Sequence, residues 1–113
     1  MHELPAGIAP HDGQELDLML AGTKHIAMLE CVYEEFEPYL QSGQLKHIEH
    51  NEYTHIIYTP DYEQEAQEFI RLIDEARARG FVADLERKIG RALGYSEQDI
   101  EVYLRHIAHL LVE

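Results

Sequence analysis

The chain has 113 residues and carries 22 Asp or Glu against nine Lys or Arg, a formal charge of −13 at pH 7 with histidine neutral. That length suits one domain with a continuous core. A hydrophobic fraction of 45% with 27% charged residues excludes disorder, and no apolar run reaches the length that spans a bilayer.

Residues 1–11 hold Pro5, Gly7 and Pro10 without periodicity and read as an extended or flexible arm ahead of a domain over residues 12–113. Asp12 is the expected cap of a short helix to Ala21, with Leu16, Met19 and Leu20 on one face and Gly22 as its stop. His25 to Tyr33 is a mainly apolar run with β-branched and aromatic members, too short for a helix between these flanks. It reads as a strand, central in a sheet. Residues 34–40 suggest a helical turn that ends at Gly43. Leu45–Glu49 and Tyr53–Thr59 read as two strands of a hairpin joined by His50, Asn51 and Glu52.

Thr59-Pro60-Asp61 combines a capping hydroxyl, a proline for the first turn and an acid at the positive end of a helix dipole. The helix behind it has the stripe Tyr62, Ala66, Phe69, Ile70, Ile73 and Ala76, closed by Arg77, Arg79 and Gly80. Phe81, Leu85, Ile89, Ala92 and Leu93 mark another, stopped by Gly94. Ser96 with Asp99 starts the last, whose stripe runs through Ile100, Tyr103, Leu104, Ile107 and Leu111. These elements predict an α+β fold: a small, mainly antiparallel sheet of about three strands within residues 24–59, packed against three C-terminal helices, with one short N-terminal helix.

Residues 89–104 resemble a DNA-binding helix-turn-helix in their apolar spacing, the Gly94 break and the Ser96 cap. The second helix of such a motif needs donors for phosphates and base edges. Here it opens with Glu97, Asp99 and Glu101, and Arg87, Lys88 and Arg91 of the first helix sit beside them. The segment is therefore expected to be a packing corner, with Ala92 permitting close approach of the helices, and DNA binding ranks third among the functional readings.

Histidine is abundant, with eight residues. A three-residue turn places His47 opposite His55 on one sheet face, where two imidazoles with Glu49 or Glu52 are a weak candidate site for Zn²⁺ or another divalent ion. Glu30, the one acid in the apolar run from Ile26 to Val32, is a candidate general acid or base beside His47 and His55 if the strand buries it. Alternation instead puts Ile26, Met28 and Glu30 on the open face and Ala27, Leu29, Cys31 and Tyr33 inward, with Cys31 an inert buried thiol. His106 and His109, three apart, read as solvated residues near the negative end of the last helix.

Residues 1–70 hold 14 Asp or Glu against two Lys, whereas residues 71–113 hold eight against seven Lys or Arg. The densest acids are Glu34, Glu35 and Glu37, interleaved with Phe36 and Tyr39. Acids beside exposed aromatics suit a basic protein surface. The same residues equally suit a solvated turn whose Phe36 and Tyr39 pack inward. The single cysteine permits no intrachain disulfide, and Met-His-Glu-Leu-Pro lacks the basic and apolar regions of a signal peptide, so a cytoplasmic location is expected.

The resulting expectation is a small acidic binding or regulatory module of inhibitor, immunity, antitoxin or adaptor type. It docks on a basic partner, binds neither nucleic acid nor membrane, and is compatible with a homo-oligomer. The second reading is an enzyme or metal-binding domain built on the hairpin histidines and a sheet carboxylate. No cofactor is predicted beyond that divalent metal, and no phosphate loop or nucleophile motif occurs.

Overall fold

The computed structural model describes His11 and residues 13–111, with side chains of the last helix described as far as Ile107. The elements run α1 (Glu15–Leu20), β1 (Ile26–Leu29), α2 (Glu37–Ser42), β2 (Lys46–Asn51), β3 (Thr54–Tyr58), α3 (Glu63–Arg79), α4 (Ala83–Ala92) and α5 (Glu97–Leu111). Single 3₁₀ turns precede α2 at Glu34–Phe36 and α3 at Pro60–Tyr62. The architecture is the expected α+β one: a three-stranded antiparallel sheet, a short N-terminal helix, and helices packed after the sheet. Asp12 and residues 1–10 lie outside the described residues, as do the side chains of His109 and Leu111.

The strand order is β1-β3-β2, so the strand expected at the centre is at an edge. It is also shorter than the apolar run, four residues instead of nine. The centre belongs to Thr54–Tyr58, all five of whose residues are buried. Its polar members can sit there because each finds a partner: Thr54 accepts from Arg77, and His55 bonds through both ring nitrogens.

Both faces of the sheet are covered. Ile26, Ile56 and Tyr58 face Ala66, Phe69 and Ile73 of α3, with Leu93 closing the cluster. Ala27, Leu29 and Ile57 face the other way, against Met19 of α1, Phe36 and Leu45. The sequence pattern pointed only to the C-terminal helices as a cover. The second layer comes from short elements whose apolar residues are too few to show a periodicity. Leu20, expected on the buried face of α1, is half-exposed.

The hairpin turn is tighter than expected. Residues 52 and 53 form it, and the register slips between Glu49 and Asn51, leaving a bulge at His50. Thr59 stands before the 3₁₀ turn at Pro60, but its hydroxyl makes no capping bond and is buried without a partner among the described residues. Phe81 precedes α4 instead of opening it and is half-exposed.

At the corner between α4 and α5, Leu93 N–H donates to Ile89 and Gly94 takes φ +84°, a backbone state that glycine adopts without strain. Ser96 caps α5 as expected, its Oγ accepting from Asp99 N–H at 3.1 Å. The close approach rests on Gly90 and not on Ala92: a Cβ at Gly90 would lie 2.7 Å from Ile100 Cγ1. No helix among the described residues is long and apolar enough to cross a membrane.

Candidate functional site

Side-chain alternation in β2 and β3 puts His47, Glu49, His55 and Ile57 on one face of the sheet. His47 pairs in register with Ile57 and Glu49 with His55, so the two histidines are diagonal neighbours and not directly opposed. Their rings meet nevertheless, His47 Nε2 lying 3.0 Å from His55 Nδ1 and the centroids 5.2 Å apart. The far nitrogen of His55, Nε2, is 3.2 Å from the carbonyl oxygen of Glu52. A carbonyl only accepts, so Nε2 carries the proton and Nδ1 presents its lone pair to the N–H of His47. Partial burial and the neighbouring His55 hold the His47 pKa below its ordinary value, against the opposing pull of Glu49.

Glu52 takes part through its backbone alone. Among the described residues no three His, Cys, Asp or Glu are gathered to hold a metal ion. His50 points to the opposite face, where Nε2 donates to Asp74 of α3 at 2.7 Å.

Glu30 joins neither hairpin histidine. It is exposed just past the end of β1 and lines an open cleft of about 470 Å³ with Met28, Asn51, Tyr53, Thr54 and Arg77. Arg77 Nη2 donates across the floor of this cleft to Thr54 Oγ1 at 3.0 Å. A buried general acid in β1 is therefore not what the fold provides. Cys31, expected inward, is exposed, because the strand ends at Leu29 and alternation stops with it.

Glu34, Glu35 and Glu37 are exposed around the 3₁₀ turn and the start of α2, and none of their carboxylates forms a hydrogen bond or ion pair with another described residue. Phe36 between them is 1% exposed and belongs to the core, so it is no part of an accessible aromatic patch. Tyr39 is half-buried against the same cluster. The large exposed aromatics among the described residues are Tyr33, directly before the acidic turn, and, away from it, Phe81 and Tyr53, which is 70% exposed.

The helix corner spends two of its cations, Arg87 and Arg91, internally. Arg87 bonds Glu101 at 3.0 Å and Asp84 at 3.0 Å, and Arg91 bonds Glu97 at 2.8 Å. Glu97 and Glu101 of the second helix thus neutralise Arg91 and Arg87 of the first, which leaves Lys88 as the exposed cation of α4 beside an acidic second helix.

Sequence reading missed Lys24. Only 2% exposed, its ammonium donates to the Leu93 carbonyl at the end of α4, lies 3.0 Å from His11 Nδ1 and sits 5.1 Å above the Tyr95 ring. Burial pushes its pKa down to about 8, against the favourable charge of Glu15. The one available signal was its isolation, since Lys24 and Lys46 are the sole cations of residues 1–70.

No protein-family model, curated protein or solved structure matches the chain. The functional reading stands on the residues themselves.

Proposed function

We propose that the protein is a small acidic binding module of the cytoplasm that docks on a basic protein surface through Glu34, Glu35 and Glu37. The observation that carries this reading is the contrast between the two ends of the chain. Arg79, Arg87 and Arg91 are each paired with a carboxylate, while the three acids before and within α2 have no partner among the described residues.

Phe36 makes that contrast useful. As a core residue between Glu35 and Glu37 it fastens the acid-bearing turn to the sheet. Burying such a ring contributes about 2–3 kcal/mol, so the carboxylates are displayed on an ordered backbone. Less ordering entropy is then lost when a partner binds. Three like charges on one short segment also steer a cationic partner at long range.

Immobilised protein should retain basic proteins at low salt and release them as salt rises. Glu34→Lys with Glu37→Lys should abolish retention, and a chelator should leave it unchanged. Glu68→Lys with Asp84→Lys makes the same change in net charge away from the segment and should keep most of it. Equal loss in both double variants would show that net charge alone does the binding, and the reading would fall.

A further inference from the structure

We infer that His47 and His55 form a binding site for one divalent transition-metal ion of the imidazole-preferring class, zinc, nickel or copper, with His47 Nε2 and His55 Nδ1 as the protein ligands. This goes beyond the docking surface and does not depend on it, since none of the three docking acids takes part.

The first ground is the tautomer of His55. A metal-binding imidazole characteristically donates its other N–H to a backbone carbonyl or a carboxylate, which aims the remaining lone pair at the ion. His55 Nε2 donates to the Glu52 carbonyl at 3.2 Å, so Nδ1 is already the lone-pair nitrogen and is already held in direction. His55 is 9% exposed on the central strand, which restrains its ring further.

The second ground is distance. Two nitrogens bound to one tetrahedral zinc at about 2.0–2.1 Å lie about 3.3 Å from each other. His47 Nε2 and His55 Nδ1 are 3.0 Å apart, so the nitrogens need to part by only a few tenths of an ångström while the rings turn to aim both lone pairs at an ion beside the line that joins them. In the metal-free protein a proton lies between these nitrogens. On binding, His47 carries that proton on Nδ1 instead of Nε2, and the ion takes its place with no net proton released.

Access and charge agree with this. His47 is exposed on edge strand β2, which leaves the ion a route from solvent and room for water ligands. Glu49, the register partner of His55, occupies the same sheet face and adds a negative charge that His47 feels, without being a ligand. The formal charge of −13 raises the local concentration of any cation.

The test uses the full chain stripped with chelator. Titration with Zn²⁺ followed by calorimetry should give one ion per chain in the first event. Substoichiometric Cu²⁺ should broaden the ring signals of His47 and His55 before those of any other histidine. Mg²⁺ should not compete, because it prefers oxygen ligands. His47→Gln, at an exposed position that leaves the core intact, should weaken Zn²⁺ binding at least about tenfold. His50→Gln and His106→Gln should leave it unchanged. No binding of any of the three ions up to about 1 mM, the same affinity in His47→Gln, or first broadening at another histidine would each overturn the assignment. The broadening needs no variant, so the result does not hinge on how a substitution folds.

Discussion

Replacing Gly90 with alanine sets two effects of known sign against each other at the α4–α5 corner. In a helix interior the change gains about 1 kcal/mol, because glycine loses more backbone entropy on folding. The new methyl would meet Ile100 Cγ1 at 2.7 Å and Cδ1 at 3.1 Å. Both are inside the roughly 3.5–4.0 Å of relaxed carbon contacts. Ile100 is 2% exposed, so it cannot swing out into water without losing its packing. Overpacking of this kind costs about 1–3 kcal/mol, so the expected net loss is about 0–2 kcal/mol. The decisive measurement is the double-mutant cycle with Ile100→Ala. That substitution alone should cost about 2–5 kcal/mol, and it removes both atoms that clash. In its background Gly90→Ala should recover the full helical gain of about 1 kcal/mol. The coupling is then about 1–3 kcal/mol and can be read from urea unfolding of the four proteins by circular dichroism. Equal stabilisation by Gly90→Ala in both backgrounds would refute the close approach of the helices.

Lys24 should leave a signature in the alkaline range. Its folded pKa of about 8 lies below the unfolded value of 10.5, so between the two the unfolded chain holds a proton that the folded chain lacks. Stability contributed by this group therefore rises with pH, by up to about 3 kcal/mol across the window. Urea unfolding from about pH 7.5 to about pH 9.5 should show the slope in the parent and not in Lys24→Met. That range stops short of the tyrosines: burial raises Tyr58 and Tyr103, and ionisation in the unfolded state lowers stability only near pH 10. An unchanged slope in Lys24→Met would remove the buried ammonium from the account. At the cleft, Arg77→Met should cost about 1–3 kcal/mol by leaving the buried Thr54 hydroxyl unpaired, and Thr54→Val about 1 kcal/mol or less. The double variant should be no worse than Arg77→Met, and a larger loss for Thr54→Val than for Arg77→Met would contradict the hydrogen bond. A His50→Ala/Asp74→Ala cycle should couple by less than about 1 kcal/mol, since half of the Asp74 side chain is in water.

The three C-terminal helices were legible in the sequence because their signals are local. The α3 stripe, Gly80 and Gly94 at helix ends and the Ser96 cap each depend on residues a few positions apart, and each proved correct within a few residues. The antiparallel hairpin was legible for the same reason. The candidate site was legible only in part. Residue types and alternation put His47 and His55 on one face, but whether their rings meet depends on register. The bulge at His50 changed that register while the diagonal contact kept the rings together.

What the sequence by itself determined is the class of fold, the excess of negative charge in the first 70 residues, and a single cysteine, Cys31, among these 113 residues. These depend on composition and short-range pattern. The tertiary structure alone decided which strand is central, which way Phe36 turns, that Lys24 is buried under the α4–α5 corner, and that Gly90 sets the spacing there. Each of these turns on contacts between residues far apart in the chain. The apolar run around Ile26 looked more deeply buried than Thr54–Tyr58, yet Thr54 and His55 could enter the centre because Arg77 and His47 complete their hydrogen bonds from other elements. A polar residue is placed by whether a partner reaches it, and only the folded chain supplies the partner.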